Sequence, residues 1–88
     1  MAKQERPQRV GVVAVIVEKR EETAAKVNEI LSLYAHIIVG RMGLPYKERG
    51  VSIISLIIDG TTDDIGAMCG KLGAIDGVTA KSVLKPEK

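Results

Sequence analysis

Eighty-eight residues carry 13 basic and 11 acidic side chains for a formal net charge of +2, with 45% apolar residues and neither Trp nor Phe. That length holds one domain with an aliphatic core, and a charge this balanced does not demand nucleic acid. The single Cys69 excludes an intrachain disulfide framework and suits a reducing cytoplasm.

Residues 1–8 read as a flexible basic tail, and residues 9–85 as one folded domain. The basic start followed by an apolar run imitates a secretory signal, but Glu18-Lys19-Arg20-Glu21-Glu22 stands where a small-residue cleavage site belongs. No apolar run approaches the roughly 18 residues of a membrane span. A soluble, cytoplasmic chain with no membrane partner is expected.

The first strand is expected over about 9–18, and a helix over about 20–34, where Ala24, Val27, Leu31 and Tyr34 recur at helical spacing. Glu21 and Glu22 sit near the positive end of that helix. A second strand over about 36–44 is broken by Pro45, and the segment to Gly50 turns into a third strand over about 51–59. Thr61 and Asp64 have the spacing of a capping box, which starts a second helix running to about Leu72, with Gly73 as its stop. A turn over 74–77 leads to a last strand over about 78–84.

Strand–helix–strand–strand–helix–strand with right-handed crossovers gives a ferredoxin-like βαββαβ sandwich of the α+β class, a four-stranded antiparallel sheet with both helices on one face. In that topology the first and third strands are central. They are also the strands without a polar face: V-G-V-V-A-V-I-V over Val10–Val17 and V-S-I-I-S-L-I-I over Val51–Ile58. Two short helices cover one side of such a sheet, so the other side asks for a partner. A second copy of the chain, in a homodimer or homotetramer, is the expected one.

Residues with chemical potential are few. His36, the only histidine, and Cys69 are the two soft or borderline metal donors, and a four-coordinate site could form only if subunits pooled them. The plainer readings are a structural or solvent-facing His36 and a small buried Cys69 with no basic neighbour on its helical face. Gly66, Gly70 and Gly73 form a stripe on the second helix, where each interior glycine costs about 0.8–1 kcal/mol against alanine. Tight helix-on-sheet packing is the preferred explanation, and close approach of a ligand or neighbouring backbone the functional one. Arg41, flanked by Gly40 and Gly43 in an otherwise apolar strand, suits a carboxylate or phosphate, or equally an edge strand guarded by a charge. Asp63 and Asp64 read as helix-start residues rather than an acid–base pair.

Other users of this architecture need residues that are missing. An RNA-recognition domain stacks bases on aromatics of its central strands, and these have none. Heavy-metal chaperones carry paired cysteines at the end of the first strand, where this chain has Glu18-Lys19-Arg20. No Ser/His/Asp or Cys/His set with an orienting third group can be assembled, so catalysis is not expected.

Four segments carry a family resemblance: Val15-Ile-Val-Glu-Lys-Arg20, Val27-Asn-Glu-Ile-Leu31, Ile38-Val-Gly-Arg-Met-Gly-Leu-Pro45 and Ile65-Gly-Ala-Met-Cys-Gly-Lys-Leu-Gly73. They resemble the small iron-only hydrogenase system regulators, and the resemblance covers about residues 9–84. The resemblance implies an ACT-like fold, related in shape to the C-terminal domain of nickel-responsive repressors. It also implies tetrameric assembly and a regulatory, transcription-linked role near hydrogenase maturation genes. Nickel-responsive repressors use several histidines and a separate ribbon-helix-helix; this chain has one histidine, and eight leading residues are too few for that module. Direct, specific nucleic-acid binding is therefore not expected.

The expectation is a non-catalytic regulatory module that oligomerises through its sheet and senses a small ligand of unknown identity, held by Arg41, Gly66, Gly70 and Gly73 between subunits. Alternatives are a metal sensor using His36 and Cys69 across subunits, and a protein-binding scaffold with no small ligand.

Overall fold

The computed structural model describes residues 8–18 and 21–87. Apart from Gln8, the expected basic tail lies outside them, as do Lys19 and Arg20 and the expected first residue of the first helix. The chain runs β1 (Gln8–Glu18), α1 (Glu21–Leu33), a 3-10 turn (Ala35–Ile37), β2 (Ile38–Tyr46), a second 3-10 turn (Lys47–Arg49), β3 (Val51–Thr61), α2 (Thr62–Gly73) and β4 (Val78–Leu84). The sheet order is β2-β3-β1-β4, and every pairing is antiparallel. This is the ferredoxin-like α+β sandwich, with β1 and β3 in the centre.

Register explains the core. Val13, Val15 and Val17 stand opposite Leu56, Ile54 and Ser52, and directly opposed residues share a face. On that face Val13, Val15, Leu56 and Ile58 are fully buried under Val27 and Leu31 of α1 and Ile65, Met68 and Leu72 of α2. The helical residues recur every three or four positions, so each helix turns one apolar stripe to the sheet. α1 and α2 divide the cover between them, with α2 packed chiefly over β4.

Three local expectations are corrected. Pro45 does not end β2 but lies within it, opposite Ser52. Since β2 is an edge strand, a residue with no N–H can stand there without costing an interior ladder bond. The strand also starts later than expected, because residues 35–37 form a 3-10 turn. Gly73 does not stop α2: it belongs to the helix, and the cap is Ala74 in right-handed conformation. The left-handed position comes later, at Gly77 with φ 88°, where the chain turns into β4.

The start of α2 follows its sequence signal. Thr61, still extended at the end of β3, accepts a hydrogen bond on Oγ1 from the Asp64 N–H at 3.0 Å. Just before it, Gly60 is buried against Ile37, whose Cγ2 would lie 2.6 Å from any added Cβ. A side chain at position 60 would push the turn before β2 off the sheet.

Candidate functional site

The inward positions of β2 alternate Arg41, Gly43, Pro45, opposite Leu56, Ile54 and Ser52 of β3. Nothing on this edge strand fills the space under α1: a Cβ at Gly43 would meet only Ile54, at 3.9 Å. α1 presents the small Ala24 there as well. The result is an open groove of about 300 Å³ between α1 and β2, floored by Val17 and Ile54 and walled by Val27. Asn28, Ser52 and Arg41 supply its polar edges. Arg41 is exposed, and among the described residues no hydrogen-bond or ion-pair partner holds its guanidinium.

The glycine stripe lies elsewhere. Gly66, Gly70 and Gly73 are exposed on α2, and a Cβ at any of them would meet nothing within 4 Å. Helix-on-sheet packing, the preferred reading of the stripe, is thereby overturned. The packing residues of α2 are Ile65, Met68 and Leu72, which leave the glycines on the outward side. No α2 residue lines the groove at Arg41. α2 covers the β4 edge and Arg41 stands on the β2 edge, so one protomer does not bring Arg41 and the three glycines together.

His36, in the 3-10 turn before β2, has Nε2 3.3 Å from Asp64 Oδ2 in the first turn of α2, and its ring stacks on Tyr34 at 6.3 Å. Both His36 and Asp64 are substantially exposed, so the pair is worth about 0–1 kcal/mol when the imidazole is charged. It ties the entry of β2 to the start of α2. Cys69 is half-buried on α2 and packed against the core. Burial pushes its thiol pKa up, and a hydrogen bond with Ser82 of β4 acts more weakly the other way. Among the described residues no three His, Cys, Asp or Glu side chains cluster to hold a metal ion, so His36 and Cys69 do not form a site within one chain.

Among the described residues no helix lies on the other face of the sheet. Val12 stands opposite Ile57 and Val83, and Ile16 opposite Ile53, with Met42 and Leu44 continuing the face onto β2. All of these side chains are 39–73% exposed. No helix among the described residues is long and apolar enough to cross a membrane.

A protein family matches residues 9–82: the TM1266-like family, described as "Iron-only hydrogenase system regulator, putative". The chain belongs to that family. The solved structure of the uncharacterized protein TM1266 from Thermotoga maritima is similar, with a TM-score of 0.89 at 38% identity, covering 91% of this chain and 100% of that one. Among curated proteins none matches. Family membership carries a regulatory assignment, and the groove between α1 and β2 is a feature that the sequence alone did not delineate. Its trace was the glycine-flanked Arg41. Asn28 and Ser52 became visible as groove residues only once α1 was docked on the sheet.

Proposed function

We propose that the chain is a non-catalytic, cytoplasmic regulatory module of the iron-only hydrogenase system, working as a homo-oligomer and responding to a small ligand. The observation that carries this reading is the helix-free sheet face. Val10, Val12, Ile16, Ile53 and Ile57 on the two central strands form an apolar surface with 39–53% of each side chain in solvent. Soluble monomers rarely leave apolar patches larger than a few hundred Å². Burial against a second copy would return about 25 cal/mol for each Å² of apolar surface removed from water. A module built this way transmits a signal by its state of assembly, and it needs no recognition helix of its own.

Sedimentation of the purified chain at micromolar concentration should show dimers or tetramers. Ile16→Lys places a charge in the middle of the face, opposite Ile53. It should forfeit about 1.5–3 kcal/mol of burial per copy and yield folded monomers with an unchanged far-ultraviolet spectrum. A wild-type chain that sediments as a monomer would remove the assembly part of the proposal.

A further inference from the structure

We infer that the groove between α1 and β2 binds a small organic monocarboxylate with an apolar body and no amino group. The inference rests on the ligand-responsive reading above and gives that ligand a place and a chemistry. The groove, about 300 Å³, matches the lower end of small-molecule sites, which run from about 300 to 1,000 Å³. Its floor and wall are aliphatic, from Val17, Val27 and Ile54, and Gly43 leaves the space over them open.

Charge decides the class. Among the described residues Arg41 is the one charged residue lining the groove, and its guanidinium has no protein partner among them. A guanidinium of this kind meets a carboxylate through a planar pair of N–H donors. Asn28 and Ser52 can complete the hydrogen bonds of a carboxylate or of a neutral oxygen near it. Among the described residues no Asp or Glu lines the groove, so an ammonium group entering it would find no counter-charge from them. An α-amino acid is therefore a poorer ligand than its deaminated counterpart. A dianion would also leave one charge unmatched.

The test is calorimetric titration of the full-length chain with two matched pairs, isocaproate against leucine and hydrocinnamate against phenylalanine, with hydrocinnamamide as the uncharged control. Isocaproate or hydrocinnamate should bind saturably and at least about tenfold more tightly than the amino acid or the amide. Arg41→Gln, at an exposed position, should weaken binding by about tenfold to a hundredfold. Gly43→Val should abolish it by filling the floor. If Gly43→Val does not fold, Arg41→Gln decides alone.

Equal affinity for acid and amino acid, or no saturable binding by either acid, overturns the assignment. So does undiminished binding to Arg41→Gln. A Gly43→Val chain that folds but drops to monomers marks the groove as a seat for a second copy, and also overturns it. Sedimentation of the same samples keeps the two proposals apart. An oligomer that ignores the carboxylates removes only the ligand, and a monomer that binds them removes only the assembly.

Discussion

On β1, Val13, Val15 and Val17 are buried beneath the helices, while Val10, Val12 and Ile16 on the other side of the same strand keep 42–46% of their surface in solvent. β3 repeats the contrast within two consecutive residues: Leu56 is fully buried and Ile57 is 53% exposed. The side chains are of one kind on both faces, so hydrophobicity does not distinguish them. What differs is cover, which two helices can provide on one side only. The inner face holds the fold together within the chain. The outer face contributes stability only when something lies on it.

The largest expected effect comes from breaking that contrast at adjacent positions. Leu56→Ala should cost about 2–5 kcal/mol, because a buried aliphatic side chain is lost and a cavity remains. Ile57→Ala should cost the isolated protomer less than about 1 kcal/mol, since half its surface already meets water. Guanidinium unfolding at several protein concentrations separates the two. Leu56→Ala should lower the midpoint at every concentration. Ile57→Ala should lower it little in dilute solution and more where the wild type gains stability from association. Equal losses in dilute solution would mean that the faces are not energetically distinct.

The fold was legible because several signals agreed. Apolar positions on both faces of Val10–Val17 and Val51–Ile58 marked central strands, and Thr61 with Asp64 marked the start of α2. The errors arose where a residue type has more than one use. Pro45 read as a strand breaker because its edge position was not yet known, and Gly73 read as a helix stop although the left-handed turn falls at Gly77. The candidate site was less legible. Arg41 and Gly43 share an inward face only once β2 is registered on β3, and the space above them exists only once α1 is laid across. Packing is the preferred reading of the α2 glycines from sequence because glycine commonly serves close approach, with a ligand seat as the functional one. Spacing gives a common face, but the neighbouring Ile65, Met68 and Leu72 determine that this face points outward.

That outward stripe gives the next effect in size and extends the comparison to the helical layer. Gly70 is exposed, with open space where a Cβ would stand. Gly70→Ala should therefore stabilise the protomer by about 0.8–1 kcal/mol through helix propensity alone. Thermal unfolding at low concentration measures the gain. If α2 approaches another copy or a ligand along this stripe, the same substitution should weaken assembly or ligand retention while raising protomer stability. Destabilisation in dilute solution would return the stripe to packing within the chain.

The smallest effect sharpens the inner face at the β4 edge, where Cys69 lies against the core beside Ser82. Burial raises the thiol pKa in the folded chain, the first and larger of its two influences. A thiol whose folded pKa exceeds the unfolded one keeps its proton longer in the native state. The linked stability is fully present below the unfolded value of about 8.5 and is lost as pH rises through the folded value. Stability should thus decline in mildly alkaline solution, and Cys69→Ala should flatten that part of the profile. Alkylation of the native thiol should be slow at neutral pH and accelerate only at higher pH than for a free cysteine. Rapid alkylation at neutral pH would show that α2 lifts from β4 readily, so that the inner face is sealed less tightly at that edge than beneath α1.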